Sequence, residues 1–236
     1  MTDSAIVTAP ASRAEPTVPE APARRVRVYV AGATDAPLTV AALEALARNP
    51  TVDLVGIDFR RMDPARLRAA APDILLSAAH QHLIREPELQ VARLGSVGLH
   101  PALLPKYRGS HPLWWALRHR EHEAGLTLYV LDDGIDTGPL LDQRAVPIES
   151  GDTFASLYRR VAREVAPLLD ELIAAVAAED RLPAATPQDN ASATVYGVPT
   201  YRELHGTLAE RLAKKVGRGA RRTVHLVVRP PKRTAK

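Results

Sequence analysis

The sequence predicts an α/β fold, a mostly parallel sheet with helices on both faces. Three observations predict it. Short, mostly apolar runs at residues 26–30, 52–57 and 74–78 have the length and branched character of buried strands. Segments with helical spacing of apolar residues separate them. Two later runs, 125–131 and 140–148, flank a glycine-rich turn and read as antiparallel additions to the sheet.

Taken in order, residues 26–30 (VRVYV) form the first strand, which leads through Gly32-Ala33-Thr34-Asp35 into a helix. Leu43 and Leu46 give that helix an apolar stripe, and Asn49-Pro50 stops it. After the strand at 52–57, Asp63 caps a short helix over 64–71, with Pro64 suited to its first turn. Residues 73–78 and 96–100 are the third and fourth strands. Ser110 and Pro112 open a helix over 113–119. Phe154, Leu157, Val161, Val165, Leu169, Leu172, Ile173 and Val176 recur at three- and four-residue spacing, one face of a long amphipathic helix. Asp152 or Thr153 caps it, and Pro167 introduces a kink.

This pattern assigns residues 24–182 to one domain. Residues 1–23, rich in Ala, Pro, Thr and Glu, are expected to be disordered. Residues 183–210 read as a loop and a short helix (201–216), and 211–236 as a basic tail. Ten Lys or Arg and no acid lie in 211–236, so against a net charge of +4 the rest of the chain carries −6. Any nucleic-acid contact is therefore expected only through the tail. The chain has no cysteine, which excludes disulfides and thiolate chemistry. No run approaches the ~20 apolar residues of a membrane span, and no apolar leader precedes the domain, so a cytoplasmic protein is expected. The eight histidines show no metal-binding spacing. His119 and His122 read as a charged helix end, and Trp114 and Trp115 as anchors of their helix. No feature specifies an oligomeric state.

Polar and conformationally special residues concentrate in two places. Residues 98–109 (GLHPALLPKYRG) carry a histidine where a strand ends, and the carboxyl ends of strands are where open α/β sheets bind ligands. Residues 132–139 (DDGIDTGP) form an acidic turn between two strands, which taken alone reads as a solvated surface turn.

Together, HPALLPKYRG and GLTLYVLDDGIDTGPLL resemble the signature of the 10-formyltetrahydrofolate-dependent formyltransferases. That family includes glycinamide-ribonucleotide, methionyl-tRNA and amino-sugar formyltransferases and formyl-folate hydrolases. The resemblance spans residues 26–176 and is most specific over 73–141. It implies a Rossmann-like formyltransferase domain with 10-formyltetrahydrofolate as co-substrate. His100 and Asp136 match two members of the family's catalytic trio. The folate pocket would be lined by Leu76, Ser77, His82, Leu83, Asp132 and Gly134. The third member of the trio, an Asn two residues before the His, is here Gly98. In the family that Asn and the His donate hydrogen bonds to the oxyanion formed when an amine attacks the formyl carbon. Losing one such donor costs about 2.7–4 kcal/mol, or ~10²–10³ in rate. His80 or Gln81 is the expected substitute, the alternative being that both are merely solvated.

The function expected is formyl transfer to the amine of a small metabolite. A tRNA acceptor is less expected, because methionyl-tRNA formyltransferases carry a whole C-terminal barrel after this domain. Hydrolysis of the formyl folate, and a non-catalytic folate-binding or interaction role, are the alternatives. Gly32 to Asp35 lacks the glycine density of a phosphate-binding loop.

Overall fold

The computed structural model describes residues 24–200, apart from residue 60, together with Glu203. The segment 1–23, the short helix expected over 201–216 and the tail 211–236 lie outside the described residues, save Glu203. The elements are β1 (Val26–Gly32), α1 (Pro37–Arg48), β2 (Val52–Asp58), α2 (Pro64–Ala70), β3 (Ile74–Ala78), β4 (Gly95–His100), β5 (Arg108–Gly109), α3 (Pro112–His119), β6 (Glu123–Val130), β7 (Leu140–Pro147), α4 (Phe154–Ala162), α5 (Val165–Glu179) and β8 (Val195–Tyr196). The main sheet runs β2-β1-β3-β4-β6-β7. Its first four strands are parallel, and β6 and β7 are antiparallel.

Period-two alternation explains why these strands are apolar on both faces. Val26, Val28 and Val30 of β1 face a core shared with α1, α4 and α5, while Tyr29 and Ala31 face a second core with Leu67 of α2. Both faces are therefore covered. The same alternation on β4 sends Val97 and Leu99 to the first core, leaving Ser96, Gly98 and His100 on the opposite face.

Two expectations are corrected. The long amphipathic helix is two helices, α4 and α5, broken at Arg163 and Glu164. Pro167 is the reason: without an N–H, and with a ring that clashes with the carbonyl four residues back, it is accommodated in the first turn of a new helix. Phe154, expected in the buried stripe, is 37% exposed, at the first turn of α4. Thr153, not Asp152, is the cap, in a reciprocal pair with Ser156. The second correction concerns residues 183–200, read as loop. They return to the domain as a strap. Leu140 and Thr186 exchange backbone hydrogen bonds, and β8 pairs in parallel with β5. Trp115 anchors this strap through an Nε1–H bond to the Gly197 carbonyl (3.1 Å) and a stack on Tyr196.

Asp73 clasps the far end of the sheet from the site. Its buried carboxylate accepts from the Arg27 amide (3.0 Å), Arg93 Nε (2.7 Å) and Arg24 Nη2 (2.5 Å). Burial raises its pKa, but the Arg27 amide and then the arginines outweigh this and hold the carboxyl below its usual range. Such a group contributes stability above its unfolded pKa of ~3.9 and loses it as the pH falls through the folded value. Asp73→Asn should cost about 1.5–3 kcal/mol at neutral pH and much less in acid, as urea unfolding at the two pH values would show.

Candidate active site

β4 ends at His100, and the following loop is pinned in place by Thr127, its partner across β6. Thr127 Oγ1 donates to the Ala102 carbonyl (2.6 Å) and accepts from the Leu104 amide (3.2 Å) and Gln143 Nε2 (2.9 Å). The loop turns back so that the Tyr107 carbonyl lies 2.8 Å from His100 Nε2. His100 is 6% exposed. Its Nδ1 faces Asp136 Oδ2 at 3.4 Å. Each ring nitrogen thus looks at an oxygen acceptor, and both contacts are hydrogen bonds only when both nitrogens carry protons.

Asp136 sits on the acidic turn with a left-handed backbone, φ 53°. Its Oδ2 also accepts from the Gly109 amide (2.7 Å), and its Oδ1 accepts from the Tyr129 hydroxyl (2.6 Å). The turn is folded by Asp132, whose Oδ1 accepts from the Gly134 amide (3.1 Å) and Thr137 Oγ1 (2.7 Å). From the strap, Gln188 Nε2 donates to the carbonyls of Asp136 (3.0 Å) and Gly138 (2.6 Å). The Gln188 Oε1 accepts from buried Arg108 (2.7 and 3.1 Å). One amide therefore ties the acidic turn to the loop after His100.

A cavity of about 780 Å³ opens over this pair. Ser77, His82, Leu83, Asp132 and Gly134 line it, as do His100 and Asp136. Leu76 does not: alternation along β3 turns it into the core, where it is 1% exposed. His80 and Gln81 line the cavity but form no hydrogen bond to His100 or Asp136. Burial lowers the His80 pKa, which favours its neutral form. A second cavity of about 710 Å³ adjoins the first, sharing Ala33, Gln81, Phe154 and Tyr158. The loop Thr34-Asp35 lines it, with Phe59 and Arg159. Among the described residues no group of three His, Asp or Glu is placed to hold a metal, and no helix is long and apolar enough to cross a membrane.

Sequence reasoning missed Tyr129 and Gln188. Tyr129 reads in sequence as one more apolar strand residue, and only the β4–β6 register sets it on the His100 face of the sheet. Nothing in the sequence around Gln188 shows that the chain doubles back.

A doubly covered, largely parallel sheet with a His–Asp pair at its carboxyl edge, under an open cavity, defines a Rossmann-like α/β domain with a candidate ligand site where such sheets bind ligands. Residues 60–172 match the family described as "Formyl transferase". The methionyl-tRNA formyltransferase of Halorhodospira halophila is 41% identical over 104 residues, 44% of this chain and 34% of that protein. The glycinamide ribonucleotide transformylase 1 of Symbiobacterium toebii superposes with a TM-score of 0.57 at 26% identity, over 70% of this chain and 95% of that one. The formyltransferase PseJ of Anoxybacillus kamchatkensis, in complex with UDP-4,6-dideoxy-4-formamido-L-AltNAc and tetrahydrofolate, shares the fold: TM-score 0.58, 21% identity, 73% and 86% covered. Over residues 60–172 the chain is thus similar in sequence to formyltransferases, and its fold is theirs. It spans 34% to 42% of the length of the methionyl-tRNA formyltransferases compared with it.

Proposed function

We propose that this chain is an enzyme that transfers the formyl group of 10-formyltetrahydrofolate to a primary amine. The observation that carries the reading is the His100–Asp136 pair at the cavity, on the two segments that match the family. A cavity of about 780 Å³ is of the size that encloses a ligand as large as a folate. Leu83, Ile84, Leu131 and Ile135 offer apolar wall for a pterin ring, and the turn carrying Asp132 and Gly134 offers polar edges. His100 would donate to the formyl oxygen as negative charge develops there, by turning from the Tyr107 carbonyl. Asp136 would hold the ring in orientation and favour its charged form as the amine's proton is relayed.

The adjoining cavity is where the amine would enter. Phe59, Phe154 and Tyr158 give it apolar surface, with Asp35 and Arg159 as its charged residues among the described ones. This composition supports the amine of a small metabolite as the acceptor. The named relatives favour a second reading, the amino group of methionyl-tRNA.

The test is incubation with 10-formyltetrahydrofolate alone, with a panel of small amines, and with methionyl-tRNA, following tetrahydrofolate release. Release that requires a small amine is expected. Release with methionyl-tRNA only would select the second reading, and release without any acceptor would identify a hydrolase. No release in any arm would overturn the enzymatic reading.

A further inference from the structure

Gly98 lies directly opposite Tyr129 in the β4–β6 ladder, with both residues on the face that carries His100. Its backbone is ordinary strand, outside the left-handed region, so conformation does not require glycine there. Space does. A Cβ at residue 98 would stand 2.7 Å from Tyr129 Cε1, 2.8 Å from Tyr129 Cζ and 2.8 Å from Leu131 Cδ2. The phenol ring fills the volume into which any side chain at 98 would grow. From there its hydroxyl donates to Asp136 Oδ1 at 2.6 Å, and the residue is part of the cavity lining.

We infer that Tyr129 is a positioning residue of this site, which occupies the side-chain space given up at Gly98 and locks Asp136 against His100. This rests on the formyl-transfer reading and places the compensation for Gly98 in β6, acting through Asp136, rather than in a direct donor such as His80 or Gln81. With Oδ1 held by Tyr129 and Oδ2 by the Gly109 amide, the carboxylate cannot swing away from the imidazole. Tyr129 is 6% exposed, and burial, followed by the Asp136 charge, pushes its pKa well above the usual 10, so it remains a donor through the neutral range. The other carboxylate near it is Asp132, whose Oδ1 is taken up by Gly134 and Thr137. Residues 98 and 129 are then one unit: glycine is tolerated at 98 because tyrosine stands at 129, and a side chain returns to 98 only if the ring leaves.

Tyr129→Phe removes the hydroxyl and keeps the ring. It should lower kcat by about tenfold to a hundredfold, less than the ~10²–10³ lost with a donor that touches the oxyanion itself. KM for the formyl donor should hold. Gly98→Asn should lower the unfolding midpoint in the Tyr129 background and be tolerated in Gly98→Asn/Tyr129→Ala, a non-additive cycle. A Tyr129→Phe enzyme with wild-type kcat would overturn the inference. So would a loss that falls on KM as much as on kcat, or an equal cost for Gly98→Asn in both backgrounds. If the wild type shows no turnover, the functional reading fails, while the stability cycle still decides the role of Tyr129.

Discussion

Asp136→Asn is expected to lower kcat by about 10²–10⁴, the range associated with losing positioned acid–base catalysis, while KM for 10-formyltetrahydrofolate changes by less than about twofold. The geometry explains why turnover, not folding, should bear the loss. Oδ1 meets a hydroxyl, which can rotate to accept from an amide NH₂, whereas Oδ2 meets the Gly109 N–H, which can only donate. Asn therefore fits with its oxygen towards Gly109 and its nitrogen towards Tyr129, so the turn survives. What disappears is the negative charge 3.4 Å from His100 Nδ1. Steady-state kinetics with the donor varied at saturating amine would measure this. Parallel losses in kcat and in donor affinity would instead mark Asp136 as a structural turn residue.

Gly109→Ala is expected to destabilise the fold by about 2–4 kcal/mol, combining overpacking with a strained backbone. Gly109 has φ 92°, and an added Cβ would run into the carbonyl oxygen of Tyr196, the β8 residue paired with it. Because β8 belongs to the strap, the clash would loosen residues 186–196 from the domain. It would also displace the amide that donates to Asp136 Oδ2. The unfolding midpoint should fall by about 5–15 °C for a chain of this size, and activity should fall beyond the stability loss. Gly197→Ala is the control, since nothing lies within 4 Å of a Cβ added there. Equal thermal shifts in the two variants would show that the β5–β8 contact has no special role.

The strand at residues 26–30 was readable in the sequence, because a strand covered on both faces is apolar on both, here Val26, Val28 and Val30 on one and Tyr29 on the other. The Asp63–Pro64 helix start was equally legible, cap and first-turn proline being adjacent in sequence. So were His100 and Asp136 as site candidates, since each lies in a short segment whose composition is special by itself. The break at Arg163 was misread as a kink within one helix, because the apolar stripe continues through it and only the missing N–H of Pro167 interrupts the bonding.

The sequence alone determined the sheet, its two apolar faces and the pair of segments that carry His100 and Asp136, because strand and helix periods and turn chemistry are properties of neighbouring residues. Only the tertiary structure decided how that pair is held. Tyr129 reaches Asp136 through strand register, Gly98 is small because a ring from another strand lies over it, and Gln188 joins two site loops from a segment without periodicity. These are contacts between residues distant along the chain, set by the space that packing leaves, and packing is decided by the whole fold at once.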